Sequence, residues 1–414
     1  MEQGKVSRRW TTLLPVIFVT YSLAYLDRAN FSFGAAAGMA RDLNITGDQS
    51  SLLGALFFLG YFLFQIPGAI YAQRHSVKKL IFAGLIGWGV LASAMGVISN
   101  IHLLYVARFL LGVVESAVLP ALLILQARWY TRSERARANA LLVIGNPATL
   151  LWMSVLSGYL ASGLGWRMMF IIEGLPPIIW AFVWWRLVSD HPRDARWLEQ
   201  GERTVLEAAL TREQGTIAPV KNYAAAFRSP RVLWLSAQYF LWSVGVYGFV
   251  IWLPSILRMG QTSMIEIGWL SAVPYLVCIF AEYGVSAWSD RIGRRKIAIW
   301  PPLLIGALAF YGSYLMGPDH FWAGFVLLVV AAGAMYAPYG PFFAYIADSL
   351  PSNVAGGAIA LINSMGALGS FAGSYAVGLL NDATGNAGMS FLLMAGALAI
   401  SSAITVFLPE NRAG

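Results

Sequence analysis

Long apolar stretches recur along the chain and are separated by short polar turns. A helix that crosses a bilayer needs about 20 consecutive apolar residues, and the 414 residues hold about twelve such stretches. Six of them precede a charged segment and six follow it. The pattern predicts an all-α membrane protein with twelve transmembrane helices in two six-helix bundles. The expected spans are 12–36, 51–72, 80–98, 101–127, 138–162, 166–188, 232–256, 265–288, 297–316, 321–346, 354–380 and 387–408.

The charged segment between the sixth and seventh spans reads as a solvated linker. Part of it, 195–212, has the pattern of an amphipathic helix that lies on a membrane surface. We expect no catalytic role for it. The predicted domains are an N-terminal bundle at 1–188, the linker at 189–231 and a C-terminal bundle at 232–414.

The turns after the second and the eighth spans resemble each other. Gln73 and Arg74 in the first turn align with Asp290 and Arg291 in the second, and basic residues follow in both turns. Matching turns at matching places in the two halves indicate a parallel internal repeat. In such repeats the binding site is expected near the midplane of the membrane, between the halves.

The charge distribution supports a membrane protein and predicts its orientation. Only 12% of the residues are charged, against roughly 25% in soluble domains. The net charge is +8, and most of the 28 Lys and Arg residues fall in turns on the side of the membrane that holds both termini. The positive-inside rule therefore predicts that both termini lie in the cytoplasm. Basic charge of this kind predicts topology, so we expect no nucleic-acid partner.

Other chemistry is not indicated. The single cysteine, Cys278, rules out an intrachain disulfide and a cysteine-based metal site. The sequence has no Gly-Lys-Ser/Thr phosphate loop, and its four histidines fall in turns or at the ends of spans. We expect no cofactor, no bound metal and no enzymatic activity.

Ionisable residues interrupt two of the apolar stretches. Asp27 and Arg28 lie in the first span, and Arg108 and Glu115 lie seven residues apart in the fourth. A charge at the centre of a membrane helix costs about 2.5–3.5 kcal/mol on insertion scales. Such residues normally face a water-filled cavity and act there. The sequence therefore predicts a membrane transporter for a small charged solute.

The chemistry of these residues fits a carboxylate and a proton. The guanidinium of Arg28 suits two-pronged binding of a carboxylate. Asp27 and Glu115 are candidate proton carriers, because apolar surroundings favour the protonated form of a carboxyl group. Adjacent helical residues point about 100° apart, so Asp27 and Arg28 should have different partners. The alternative for each residue is a permanent ion pair without a transport role.

The tenth span carries two prolines and four aromatic residues. Pro338 and Pro341 remove helix hydrogen bonds, which predicts a break in the helix near the cavity. Phe343, with its neighbours, would then line a gate in the cavity. Simple packing of rings around a kink is the alternative. The neighbouring aromatic residues are Tyr336, Tyr339 and Phe342.

Several motifs resemble those of a known family. The twelve spans and D-R-I-G-R-R-K at 290–296 resemble the major facilitator superfamily. Its anion:cation symporters carry organic anions, commonly sugar acids and usually with protons, and the chain resembles their bacterial 2-ketogluconate permease branch. The motifs similar to those of the symporters are L-D-R-A-N at 26–30, Q-I-P-G at 65–68, R-F-L-L-G-V-V-E at 108–115 and F-I-I-E-G-L-P at 170–176.

The resemblance implies roles for individual residues. It matches Asp27 and Glu115 to proton-linked positions, and Arg28 and Arg108 to the handling of the anion. It also matches Tyr61 to a tyrosine that donates a hydrogen bond to the substrate, although a ring that only fills space between helices fits equally. Asn146 and Asn363 match positions that contact substrate hydroxyls. Membrane amides can instead link helices, at about 0.6 kcal/mol each.

The resemblance also implies a conformational latch at the two related turns, formed by Gln73, Arg74, Asp290, Arg291 and Arg294. The family normally has an aspartate at the position of Gln73, and a glycine at that of Ser76. Because Gln73 carries no charge, we expect a weaker latch in the first turn than in the second.

The resulting prediction is a monomeric secondary active transporter that carries a sugar acid together with protons by alternating access. An anion exchanger would not need Glu115. A drug or cation antiporter should have an acid-lined cavity without fixed arginines, and a membrane sensor should have a sizeable soluble domain. The sequence assigns no role to two further acids, Glu173 and Glu282, in the sixth and eighth spans.

Overall fold

The computed structural model of the protein describes residues 7–214, 229–260, 262–349, 352–385 and 388–409. Throughout these ranges the regular structure is helical. The helices are α1 (Leu14–Ala36), α2 (Gly47–Arg74), α3 (Val77–Met95), α4 (Ile101–Glu115), α5 (Val118–Trp129), α6 (Arg132–Leu187), α7 (Gln200–Gln214), α8 (Pro230–Arg258), α9 (Met264–Ile292), α10 (Trp300–Met316), α11 (Phe321–Tyr336), α12 (Tyr339–Ser349), α13 (Ser352–Thr384) and α14 (Gly388–Phe407).

The helices account for the twelve expected spans and form two six-helix bundles, so the predicted fold is confirmed. The fourth span is α4 followed by α5, and the tenth is α11 followed by α12. The break in the tenth span lies at Pro338, as predicted, whereas the break after Glu115 was not predicted. The fifth and sixth spans are the two arms of α6, which meet at Gly165 with a φ of 78°. Such a backbone conformation favours glycine.

Nine segments of the described chain are long and apolar enough to cross a membrane. One of them contains both arms of α6, and together they cover ten of the twelve spans. The remaining two spans are α1, which polar residues such as Asp27, Arg28 and Asn30 interrupt, and α13. These two helices lie between the bundles, where α1 packs against α8 and α13 packs against α2.

Side-chain caps fix where several helices begin. The hydroxyl oxygen of Thr46 accepts a hydrogen bond from the backbone of Gln49 at the start of α2, and Ser263 does the same with Glu266 at the start of α9. These reciprocal capping boxes satisfy backbone N–H groups that have no partner within the helix. At its other end, α9 stops at Gly293, whose φ of 63° is typical of a glycine helix end.

The two ends of the molecule differ. We call the end that carries the segment between α6 and α8 the connector end. At the opposite end the two halves approach to backbone contact. A Cβ atom on Gly158 would lie 2.7 Å from the carbonyl oxygen of Met264, and one on Gly378 would lie 2.2 Å from Oγ of Ser51. Small residues allow helices to pack this closely, so the halves are sealed together at the opposite end.

The connecting segment packs on the N-terminal bundle. Within it, α7 confirms most of the amphipathic helix predicted at 195–212. Trp197 stacks on Trp129 at the end of α5, with ring centroids 5.3 Å apart. Residues 215–228 of the predicted linker lie outside the described residues, as do 1–6 and 410–414. The exact domain boundaries stay predictions.

Candidate functional site

Five ionisable side chains are buried together within the N-terminal bundle. Arg28 is the most exposed of them, at 5%, and the others are at most 1% exposed. Isolated charges are costly to bury, so a cluster of this kind must be balanced internally. Its members are Asp27 and Arg28 on α1, Arg108 and Glu115 on α4, and Glu173 on the second arm of α6.

Arg28 is held by aromatic rings and one carboxylate. Its guanidinium carbon lies 4.5 Å from the ring centroid of Tyr25 and 4.7 Å from that of Tyr61. Such cation–π contacts stabilise a cation that has left water. Nε donates a hydrogen bond to Oε2 of Glu115 at 3.2 Å. Nη2 has no hydrogen-bond partner among the described residues, so Arg28 keeps a donor available in the site.

Glu115 forms its ion pair with Arg28. The carboxylate has no exposed surface, and Oε1 has no partner in the described part of the chain. The sequence places Arg108 on the same helical face as Glu115, but seven residues correspond to about 10 Å along a helix axis. Arg28, which comes from α1, lies at the level of Glu115 instead. The break between α4 and α5 directly follows this carboxylate.

Arg108 ties α4 to the backbone of α1. Nη1 donates to the carbonyl oxygen of Asp27 at 3.1 Å, and Nη2 donates to that of Arg28 at 3.5 Å. The guanidinium carbon lies 4.9 Å from the ring of Phe31. Arg108 is therefore completely buried, and both of its terminal nitrogens donate to the backbone of α1. Its part in handling the anion stays a prediction.

Asp27 has a partner different from that of its neighbour, as the 100° rotation predicts. Its Oδ1 accepts a hydrogen bond from Nδ2 of Asn30 at 3.3 Å, while Oδ2 has no partner among the described residues. Asp27 interacts electrostatically with Glu115, Glu173 and Arg108. It thus belongs to the same charge network as the Arg28–Glu115 pair without contacting that pair through its side chain.

Aromatic rings of the C-terminal bundle face this network. Tyr239 stacks on Phe342 at 5.2 Å and contacts Phe343 edge-on at 5.8 Å. Tyr247 packs on Phe58 of the other bundle at 4.7 Å. Phe58 in turn contacts Phe57, whose ring centroid lies 5.6 Å from the guanidinium carbon of Arg28. We call Tyr239, Trp242, Tyr247, Tyr339, Phe342 and Phe343 the aromatic wall.

Comparison with known proteins identifies the family. The chain matches the model of the Major Facilitator Superfamily over residues 17–265 and 259–414. It belongs to this superfamily. The chain is 30% identical over 99% of its length to a protein named "Putative tartrate transporter" from Agrobacterium vitis, of which it covers 92%. It is 32% identical over 92% of its length to a "Quinolone resistance transporter" from Acinetobacter baumannii, of which it covers 89%.

The fold agrees with this assignment. The inward-open xylose transporter XylE from E. coli superposes with a TM-score of 0.77, at 14% identity and with 97% of each chain covered. The protein is therefore a multi-pass membrane transporter for small molecules and not an enzyme. Its charge network lies in one bundle and its aromatic wall in the other.

The two predicted amides, Asn146 and Asn363, are both at least partly buried. Asn146 is 8% exposed, and its Oδ1 has no partner among the described residues. Asn363 is half-buried. Beside it, Ser364 donates a hydrogen bond to Oε1 of Gln65 at 3.2 Å, which links the two halves. Gln65 is the first residue of the Q-I-P-G motif at 65–68, but no role was predicted for it from the sequence.

Several tyrosines of the site were missed by sequence reasoning. Tyr25 is three residues before Arg28, so the helical repeat places both on one face of α1. Tyr239 and Tyr247 are eight residues apart on α8, which again is one helical face. Spacing from a known charge would have found Tyr25. The tyrosines of α8 are recognised only when the two halves are seen together.

The five residues of the predicted latch lie at the connector end with exposed side chains. Asp290 pairs with Arg295 of its own turn, and the backbone oxygen of Gln73 accepts a hydrogen bond from Arg128 at 3.4 Å. The first of the two related turns, which has Gln73 instead of an aspartate, makes a hydrogen bond to Asp190. The carboxylate of Asp190 accepts it from Oγ of Ser76 at 2.5 Å. The latch role stays a prediction for Gln73, Arg74, Asp290, Arg291 and Arg294.

The described ranges hold no group of three or more His, Cys, Asp and Glu side chains that could bind a metal ion. Cys278 is buried.

Proposed function

We propose that the protein is a proton-coupled symporter that carries a small organic anion by alternating access. The preferred substrate is a monocarboxylate sugar acid such as 2-ketogluconate. The protein works as a monomer in the inner membrane of a bacterial cell, with both termini in the cytoplasm. The two bundles, 1–188 and 232–414, rock about the central site and are joined by the linker at 189–231.

The Arg28–Glu115 pair carries this proposal. A substrate carboxylate that binds Nε and the unpartnered Nη2 of Arg28 competes directly with Glu115. Glu115 then remains buried without its cation, and the neutral carboxyl form is strongly favoured in such surroundings. Anion binding therefore promotes proton binding, which is the coupling that symport requires.

Proton coupling also has an energetic reason. An inside-negative membrane potential opposes entry of an anion by about 2.3 kcal/mol per charge and 100 mV. One proton carried with each monocarboxylate removes this opposition. A second proton would make the potential itself drive uptake.

The donors in the site favour a single carboxylate. Arg28 has an unpartnered terminal nitrogen, whereas both terminal nitrogens of Arg108 donate to backbone oxygens. Tyr61, Asn146 and Asn363 provide groups for the hydroxyls of a sugar acid. Phe343 provides a surface for the ring or carbon chain. A dicarboxylate such as tartrate would need a second available cation.

Transport assays in liposomes test the proposal. Purified protein is reconstituted, the membrane potential is clamped, and uptake of labelled 2-ketogluconate, gluconate, galactonate, glucarate and tartrate is followed with and without an acid-outside pH gradient. We expect accumulation of a monocarboxylate only with the gradient. Anion exchange that ignores the gradient would instead support a proton-independent exchanger.

Export of a planar aromatic compound is a second candidate. It is favoured by the aromatic wall, in which the stacked rings of Tyr239 and Phe342 could hold a flat molecule. The similarity to a quinolone resistance transporter points the same way. A fluorescent quinolone in the same liposomes distinguishes the two candidates, because proton-driven antiport would move it opposite to the pH gradient and a sugar-acid symporter would leave it unmoved.

A further inference from the structure

One buried acid has no cation beside it. Glu173 is 1% exposed, and its Oε1 accepts a hydrogen bond from Oγ of Ser157 at 2.5 Å. Its Oε2 has no partner, and no ion pair of the described chain includes Glu173. A carboxylate in such a place is costly when it is ionised. The mechanism derived from Arg28 and Glu115 leaves this group unused.

Glu173 faces Asp27 across an asparagine. The amide of Asn30 donates to Oδ1 of Asp27 at 3.3 Å. Helix α1 runs antiparallel beside the second arm of α6: Nε1 of Trp180 donates to Oγ1 of Thr20 at 2.9 Å, and a Cβ on Gly34 would lie 2.8 Å from the ring of Phe170. These two contacts place Asn30 and Glu173 at the same level of the neighbouring helices. Three atoms in this group lack a donor, namely Oδ2 of Asp27, Oδ1 of Asn30 and Oε2 of Glu173. All three are acceptors, and a single proton on either carboxyl would provide the missing donor.

The charges of the bundle lead to the same result. If every member ionised, two arginines would face three carboxylates, leaving one uncompensated negative charge in the membrane interior. Arg28 binds Glu115, and Arg108 binds backbone oxygens, so neither side chain pairs with Asp27 or Glu173. Like charges that share a site cannot both ionise readily. One proton must therefore reside on this pair when the site is sealed.

Glu173 is surrounded by residues of α1, α3 and the first arm of α6. From α1 it faces Asp27 and Asn30, and from the first arm of α6 it faces Ser157. From α3, Ser93 packs against the backbone beside it at Gly174. Arg108 and Glu115 on α4 act on Asp27 electrostatically. The surroundings of Glu173 thus provide hydrogen bonds and one like charge.

We propose that Asp27, Asn30 and Glu173 form a second proton site, in which the two carboxyls share one proton that is loaded and released in every transport cycle. When the halves separate, water lowers the cost of ionising the pair and the proton leaves. When the halves seal, the pair must take up a proton again. This inference rests on the proposed proton coupling and adds a second proton to the one on Glu115.

The ratio of protons to anions tests this site. In liposomes, the membrane potential at which net anion flux stops is measured at a series of pH gradients, and it gives the ratio directly. We expect two protons per monocarboxylate for the wild type and one for Glu173→Gln, which keeps an acceptor for Ser157. Asp27→Asn should also give one, and the double variant should give no further decrease. Glu282→Gln, a buried acid of the other bundle, should keep the wild-type ratio.

The outcomes separate this inference from the proposed function. A wild-type ratio of one, or an unchanged ratio in Glu173→Gln, would overturn the shared proton site and leave symport intact. A wild-type ratio of zero would overturn proton coupling itself. If Glu173→Gln does not fold, Glu173→Ala tests the same carboxyl, whereas a loss confined to Asp27→Asn would place the proton on Asp27 alone and overturn the sharing.

Discussion

The two bundles of this transporter contribute different chemistry to one site. Among the residues that the structure describes, the N-terminal bundle holds the five buried charged side chains of the site, whereas the C-terminal bundle contributes the aromatic wall and one buried acid, Glu282, which is 5% exposed. Both bundles derive from the same repeated architecture. Under the proposed function, the N-terminal half handles the charge of the substrate and the C-terminal half contributes to the shape of its site.

This division has a mechanical advantage. The ion pair between Arg28 and Glu115 and the hydrogen bonds of Arg108 all lie within one bundle. Breaking a buried ion pair by removing one partner costs about 3–5 kcal/mol. Because both partners belong to the same bundle, the proposed rocking of the halves would leave this ion pair intact. The contacts that cross between halves are weaker, such as Ser364 with Gln65 and Tyr247 with Phe58.

The largest effect is expected from Arg28→Lys. An ammonium keeps the charge but loses the planar, two-pronged geometry and much of the contact with Tyr25 and Tyr61. We expect a loss of uptake of about 100-fold, in line with truncation of buried charge pairs. The initial rate of labelled sugar-acid uptake measures it. Arg41→Lys, at an 85% exposed side chain, is the control, and near-normal transport by Arg28→Lys would contradict the anchor role.

The next largest effect is expected from Glu115→Gln. Together with Glu282→Gln it compares a buried acid of the N-terminal bundle with one of the C-terminal bundle. The amide cannot carry a proton, so the proton-to-anion ratio should fall from two to one and accumulation driven by a pH gradient should weaken, while exchange of labelled for unlabelled anion continues. Glu282→Gln should leave both activities unchanged, because no buried arginine faces that acid in the described structure. An unchanged ratio in Glu115→Gln would assign its proton elsewhere.

A smaller effect is expected from the aromatic wall. Phe343→Ala removes one ring contact of Tyr239, and aromatic pairs contribute about 0.5–1.5 kcal/mol beyond their buried area. We expect KM to rise by about fivefold with the proton-to-anion ratio unchanged. Phe280→Ala, at a 69% exposed position, should alter neither value. A changed proton ratio in Phe343→Ala would show that the division between bundles is incomplete.

The smallest effect is expected from Gln73→Asp at the connector end. The substitution gives the first turn the aspartate that the related turn has at Asp290. The added negative charge should favour closure of the connector end. With Ser364→Cys introduced and Cys278→Ser removing the native thiol, the labelling rate from the connector end should fall by about threefold, a shift typical of an exposed charge. Gln73→Asn is the neutral control of matched size. Equal labelling of all forms would leave the latch without support.

The sequence was sufficient for the fold because each span is recognised locally. A membrane helix must satisfy its own backbone and be apolar over its own length, so twelve spans and two bundles follow from hydropathy alone. The prolines of the tenth span likewise predicted the break at Pro338. The break after Glu115 has a similar local signal that sequence reading overlooked. Pro120 has no N–H to donate to the carbonyl of Ser116, four residues earlier, where the helix is interrupted.

The sequence also determined which residues carry chemistry, because an ionisable group within an apolar stretch is conspicuous wherever it stands. Asp27, Arg28, Arg108 and Glu115 were all found in this way. Only the tertiary structure decided the partners: Glu115 pairs with Arg28, Arg108 binds the backbone of α1, and Asp190 binds the turn at Ser76. Helical periodicity gives the face on which a residue lies, whereas pairing depends on how far neighbouring helices are rotated and shifted along their axes, and packing alone sets those two quantities.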